Sequence, residues 1–249
     1  MLVGFVHGVM NTDNMAVSGE TIDYGPCAFL DAYDPATVFS SIDRQGRYAY
    51  ANQPAIAHWN LARLAESLVP LVPGGEPAAV ERMRDALGRF PERYARHHRA
   101  AARAKLGLVT EEAGDDALFA DLLRRMHEAG ADFTATFAGL AGRVHGGGFG
   151  PAGGPAWLGD WPAAWRARLA RQPGGPTEAA ARMRRVNPVV IPRNHRVEEA
   201  LAAAEAGDLA VVRRLLDVLR TPFVEMPENE PYRHGPPAGC GPYRTFCGT

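Results

Sequence analysis

From Pro54 onward the apolar residues recur at helical spacing; before it they come in short runs between Gly, Asp, Asn and Pro. Ile56, Trp59, Leu61, Leu64 and Leu68 fall at i, i+3, i+5, i+8 and i+12, which predicts a helix with one apolar face. Pro70-Leu-Val-Pro-Gly-Gly75 ends it. Residues 76–107 predict a long Arg/Ala/Glu helical region interrupted at Pro91. Asp116 to Leu140 predicts another, with Leu118, Leu122, Met126, Phe133 and Phe137 as a stripe that reads as core. Residues 142–156 read as a Gly/Pro linker that includes Gly146-Gly-Gly-Phe-Gly150. Trp161 to Leu169 predicts a short amphipathic helix, and Thr177 an N-cap for 178–185. Asn187-Pro188 opens an extended run, Val189 to Pro192. Helices at 196–206 and 208–220 follow, and the last thirty residues read as irregular. The class is therefore mainly α with one core, divided at residue 54 into a loop-rich segment, 1–54, and a helical segment, 55–249.

The loop-rich segment holds the candidate chemistry. Met15-Ala-Val17 reads as a short strand and Ser18-Gly-Glu20 as a turn. Thr21-Ile-Asp23 reads as the returning strand, ended by Tyr24-Gly-Pro26. Such a hairpin brings Asp23 back beside Asn14, with side-chain oxygens roughly 4–6 Å apart, close enough to share a metal ion. A carboxylate and an amide oxygen form a hard-oxygen pair suited to magnesium and a substrate phosphate. Asp13 is then a second carboxylate, able to take a proton from a nucleophile. His7 reads as a structural hydrogen-bonding histidine, and Tyr24 and Phe29 as packing residues. Residues 26–54 lack periodicity and read as a functional loop.

His7 precedes Asn14 by seven positions, and Asp23-Tyr24-Gly25 follows. This resembles the protein-kinase order of a His-Arg-Asp loop, its Asn, and an Asp-Phe-Gly. Val9 stands at the kinase base position, so the free carboxylate is relocated to Asp13. The stretches His7 to Met15, Thr21 to Pro26, Phe29 to Pro35 and Gly46 to Pro54 are similar to the selenoprotein O (SelO) family. The likeness continues through Trp59 to Ala65, Lys105 to Gly107, Trp161 to Leu169, Asn187-Pro188 and the C-terminal tail. It implies a protein-kinase-like fold that transfers AMP from ATP to protein Ser, Thr or Tyr hydroxyls with Mg2+, Mn2+ being an alternative ion. It implies that Asp13 is the proton acceptor, that Asn14 and Asp23 are metal ligands, and that Asp23 also lies against the nucleotide phosphates. It further implies that this chain corresponds to the C-terminal lobe, with the ATP-gripping N-terminal lobe expected to be missing and apolar surface exposed near residues 1–25. Residues 26–54 become an activation-like segment that meets protein substrates. Cys247 falls where the family carries Cys or selenocysteine. Phe39 occupies the expected partner position and Cys27 is the nearby thiol, so a redox switch and a plain tail thiol both stay open.

Composition narrows the rest. With 249 residues, 46% hydrophobic and 22% charged, the chain has the make-up of a globular protein. A net charge of -1 gives no argument for nucleic acid or an anionic membrane as partner. No apolar run is long enough to span a bilayer and no signal peptide is visible. Three cysteines are too few for a disulfide scaffold, so a cytoplasmic setting is expected, and the wealth of Arg, Ala, Gly and Pro reads as the coding bias of a GC-rich bacterium. Lys105 is the only lysine among 27 basic residues. Lying in a helical stretch, it does not match a kinase strand lysine. A non-catalytic helical interaction module and a protein kinase sharing the same metal site remain as alternatives.

Overall fold

A computed structural model describes residues 1–145, 155–237 and 239–246, so the Gly-rich run 146–150 and Cys247 lie outside the described residues. Nine α-helices and one two-stranded sheet make up the regular structure among these residues. The sheet pairs β1 (Phe5–Val6) with β2 (Ala28–Phe29) in antiparallel register, Phe5 opposite Phe29 and Val6 opposite Ala28. It lies outside the predicted hairpin. The hairpin itself is reduced to a single antiparallel bridge, Met15 to Thr21, around a turn in which Gly19 adopts φ +81°. Ser18-Gly-Glu20 makes the turn as expected, but exposed Val17 and half-exposed Ile22 have no sheet face to pack on, so the ladder does not extend.

The helices are α1 (Gln53–Leu68), α2 (Glu76–Gly88), α3 (Phe90–Lys105), α4 (Asp115–Ala129), α5 (Phe133–Leu140), α6 (Trp161–Leu169), α7 (Gly175–Val186), α8 (Asn194–Glu205) and α9 (Ala210–Leu219). Pro91 sits in the first turn of α3, where its missing N–H costs nothing. The predicted helix 116–140 is two helices. Gly130, at φ +59°, ends α4, and Asp132 caps α5 by accepting the Ala135 N–H at 2.7 Å. Thr177 is not a cap, because α7 already begins at Gly175. The stripe on α4 and α5 is core as expected: Leu122, Met126, Phe133 and Phe137 are buried and join Trp161, Trp165 and Met183 in one cluster.

The predicted stripe on α1 is corrected. Trp59, Leu64 and Leu68 are exposed, while α1 buries Gln53, Asn60 and Ala65. The two buried amides serve the loop beside them. Gln53 Nε2 donates to the carbonyls of Phe5 and Tyr50, and its Oε1 accepts the His7 N–H. Asn60 Nδ2 donates to Met10 O at 2.9 Å. An irregular segment has no neighbouring strand to satisfy its backbone, so side chains do it.

Two buried cations join distant elements. Lys105, at the end of α3, donates to Asn187 Oδ1 at 2.8 Å and lies 4.1 Å from the Phe137 ring centre. It has no carboxylate partner among the described residues, and burial lowers its pKa to about 7. Arg193, just before α8, binds Asp31 at 2.8 Å and Asp132 at 2.7 Å and donates to Arg233 O. It clamps β2, the α5 cap and the C-terminal segment together. Asn194 extends this clamp by pairing with both backbone groups of Phe29.

Candidate active site

The site begins with β1 leading into residues 7–14. His7 is buried and its ring is spoken for on both sides. Nδ1 lies 3.4 Å from the Val9 N–H and Nε2 lies 3.0 Å from Ile22 O. A backbone N–H can only donate and a carbonyl can only accept, so the geometry selects the tautomer protonated at Nε2. His7 is thus a structural residue, as expected from the sequence. It ties the loop carrying Asp13 and Asn14 to the segment ending in Asp23. The Met15 to Thr21 bridge makes a second tie a few residues away.

Asp13 and Asn14 sit in a single 3-10 turn, Thr12–Asn14. Asn14 Nδ2 donates to Val9 O at 2.9 Å, which fixes the amide and leaves its oxygen without a hydrogen bond among the described residues. Asp13 is exposed, with no side-chain partner among them. Asp23 holds a left-handed backbone, φ 56°, as no other non-glycine described residue does. Its Oδ1 accepts the Gly25 N–H at 3.1 Å, the local turn bond that lets Asp tolerate this region. One turn-forming bond leaves Asp23 Oδ2 open, so each of the three side chains keeps at least one uncommitted oxygen.

The surroundings hold the loop in place. Gly8 adopts φ +83°, and a β-carbon there would lie 2.5 Å from Pro26 O. Only glycine lets the residue after His7 pass so close to the segment that follows Asp23. Tyr48 donates its hydroxyl to Asn11 Oδ1, and Asn60 holds Met10 from the other side. Phe29 packs edge-on against Phe5 with ring centres 5.3 Å apart, as a packing residue should. Tyr24 does not pack: it is 63% exposed, and Val17 is 88% exposed. The expected apolar surface near residues 1–25 is therefore present.

Among the described residues no group of three or more His, Cys, Asp or Glu side chains could hold a metal ion. Asn14 and Asp23 each keep an uncommitted oxygen of the kind the sequence proposes, and a magnesium ion held by them would take its other ligands from phosphate and water. The donor set fits in that partial sense. Sequence reasoning missed Gln53, Asn60 and Tyr48 as supports for the loop. The available signal was the unmet backbone of a long irregular segment.

Comparison with known proteins now bears on these residues. The family profile described as "Protein adenylyltransferase SelO" matches residues 1–220. The chain belongs to the SelO family. It is similar to proteins named "Protein nucleotidyltransferase YdiU": 54% identical to that of Geobacillus kaustophilus over the whole chain and 51% of that protein. It is 52% identical to the Alkaliphilus metalliredigens protein, covering half of it, and 55% identical to one from Cereibacter sphaeroides, covering 51%. This SelO-family chain spans about half the length of the curated relatives it matches. No helix among its described residues is long and apolar enough to cross a membrane.

Proposed function

We propose that this chain supplies the proton acceptor and the metal-binding side chains of a protein adenylyltransferase, on a protein-kinase-like C-terminal lobe, and acts in the cytoplasm. The observation that carries the reading is the double tie, His7 to Ile22 and Met15 to Thr21, which links the segment carrying Asp13 and Asn14 to the segment that runs into Asp23. Family membership and the relatives' names support it.

The acceptor is a Ser, Thr or Tyr hydroxyl of a protein and the donor is ATP. The hydroxyl oxygen attacks the α-phosphorus, its proton passes to Asp13, and pyrophosphate leaves, so a phosphodiester to AMP forms. Asn14 and Asp23 would hold Mg2+ or Mn2+, which offsets charge on the phosphates. The left-handed turn at Asp23 and the amide bond of Asn14 orient these oxygens before substrate arrives.

A second reading is favoured by one observation. Two donors, Asn14 and Asp23, are proposed for the metal, and among the described residues no group of three or more His, Cys, Asp or Glu could hold a metal ion. Taken alone, the chain then serves as a helical interaction module. Two donors do not hold Mg-ATP without a separate phosphate clamp, so calorimetry on the 249-residue chain should show weak or no ATP binding. Micromolar affinity would contradict that.

The deciding experiment joins this chain to the N-terminal half of the Geobacillus kaustophilus relative and supplies labelled ATP and a protein acceptor. Mass spectrometry should find AMP on a hydroxyl; a phosphate adduct would instead establish kinase chemistry. Asp13→Asn should lower turnover about 10²–10⁴-fold. Asp23→Asn should weaken metal and nucleotide binding together. Full activity in the Asp13→Asn protein would remove Asp13 from the base role.

A further inference from the structure

A groove of about 1250 Å3 runs between the segment after β2, helix α8 and the C-terminal tail. None of Asp13, Asn14 or Asp23 lines it. Its apolar surface comes from Val38, over the buried Leu30 and Phe39, on one side, Ala202 on α8, and Tyr243 and Phe246 on the tail. Phe246 is 77% exposed.

The tail wall is fixed rather than draped. Thr245 N donates to Phe39 O and Thr245 O accepts the Ser41 N–H, each at 2.9 Å. Thr245 Oγ1 donates to Pro26 O at 2.9 Å, and Tyr243 donates to Glu198 Oε1 at 2.7 Å. The groove is therefore formed before any ligand arrives, which lowers the ordering cost of binding.

Its charges are uneven. Asp31 shares Arg193 with Asp132, and Glu199 pairs with Arg196 at 2.7 Å. Among the described residues Asp34 and Glu198 have no Lys or Arg partner. Asp34 accepts the Ala36 N–H and lies 3.7 Å from His127, and Glu198 accepts only a neutral phenol. Among the described residues Arg244, on the tail wall, is the one Arg or Lys that lines the groove. His195 also lines it, and its buried Nδ1 has no hydrogen-bond partner. An apolar channel with a carboxylate unpaired by Arg or Lys on each of two walls calls for a ligand with apolar side chains and basic groups.

From this we infer that the groove docks an extended segment of a protein partner in which apolar side chains are flanked by Arg or Lys. The inference deepens the proposed function, since it rests on that reading for calling the partner a protein substrate. The segment is held beside the activation-like stretch and away from the reacting hydroxyl. Affinity for the substrate protein is thereby separated from the sequence around the modified residue.

The test uses the 249-residue chain without ATP or metal, so its outcome is independent of the transfer chemistry. The probe is a fluorescein-labelled peptide, Ala-Arg-Leu-Ala-Phe-Arg-Ala, read by anisotropy beside a counterpart with Glu for each Arg. Saturable binding is expected for the Arg peptide, with the Glu peptide about tenfold weaker. Asp34→Asn with Glu198→Gln keeps both local hydrogen-bond acceptors and should erase that preference. Ala202→Trp, at an exposed position on α8, should block both peptides while leaving the circular dichroism unchanged. Absence of saturable binding, equal affinity for the two peptides, a preference that survives the double substitution, or full binding by Ala202→Trp would each overturn the inference.

Discussion

The imidazole Nε2 of His7 lies 3.0 Å from the carbonyl oxygen of Ile22, fifteen residues along the chain and one residue before Asp23. With Nδ1 facing the Val9 N–H, a single buried ring fixes two polypeptide segments that no extended ladder joins. Replacing His7 by Ala leaves Ile22 O and Val9 N without that partner. We expect a loss of about 0.5–1.5 kcal/mol in urea unfolding, the net worth of hydrogen bonds whose partners are only part-buried. His7→Gln should recover part of it, because its amide can still donate to a carbonyl.

The turn at Asp23 predicts a split between substitutions. Asn tolerates φ 56° and can accept from Gly25 N, so Asp23→Asn should change stability by less than about 0.5 kcal/mol. Asp23→Ala loses the turn bond and keeps the left-handed strain, and should cost about 1–2 kcal/mol. Gly8→Ala should cost more than either, since its β-carbon meets the Pro26 backbone rather than a movable side chain. Thermal melts of the three proteins rank them.

Lys105 predicts a pH dependence. Its native pKa is lowered from 10.5 to about 7 by burial. Between those values the unfolded chain holds the proton and the folded chain does not. Stability therefore rises with pH across this window, and below about pH 7 the fold carries the full cost of a buried ammonium. Lys105→Met should flatten that rise. The difference between the two proteins, followed by urea unfolding from pH 6 to 10, isolates the lysine from other titrating groups. Parallel curves would show that the ammonium is not desolvated.

Arg193 predicts a large structural effect far from the Asp13 turn. Its side chain is fully buried and bonds Asp31, Asp132 and Arg233 O. Arg193→Ala leaves two carboxylates facing each other without their cation, for a loss of about 3–5 kcal/mol. Chemical denaturation should show it as a lower midpoint at unchanged slope.

The helical half was largely legible from the sequence, because apolar spacing and Gly/Pro punctuation act locally. Pro91 marks the start of α3, and the α4–α5 stripe is core. The break at Gly130 was also written in the chain, as a glycine two residues before an Asp cap, but the continuing apolar period masked it. The α1 stripe misled for a different reason. Periodicity reports that one face of a helix is apolar, not that another element covers it. Here the inward face carries Gln53 and Asn60, whose partners are backbone carbonyls from an earlier loop. Such pairings depend on tertiary placement and leave no period. Asp13, Asn14 and Asp23 were legible as residue types at telling spacing. The left-handed turn at Asp23 and the ring that links Asp23 to the Asn14 loop became visible only in three dimensions.

The buried position of Lys105 gives the chain an unusual proteolytic character. It is the sole lysine, 2% exposed and held by Asn187. A lysine-specific protease thus has one peptide bond to cut, after residue 105, and that bond lies where α3 ends against the core. Cleavage requires the chain to open locally around the core, so the rate at which two fragments appear measures how often α3 detaches from its neighbours. Amine-reactive dyes meet the same barrier at Lys105. A digest or a labelling reaction can therefore serve as a direct clock for opening of the fold.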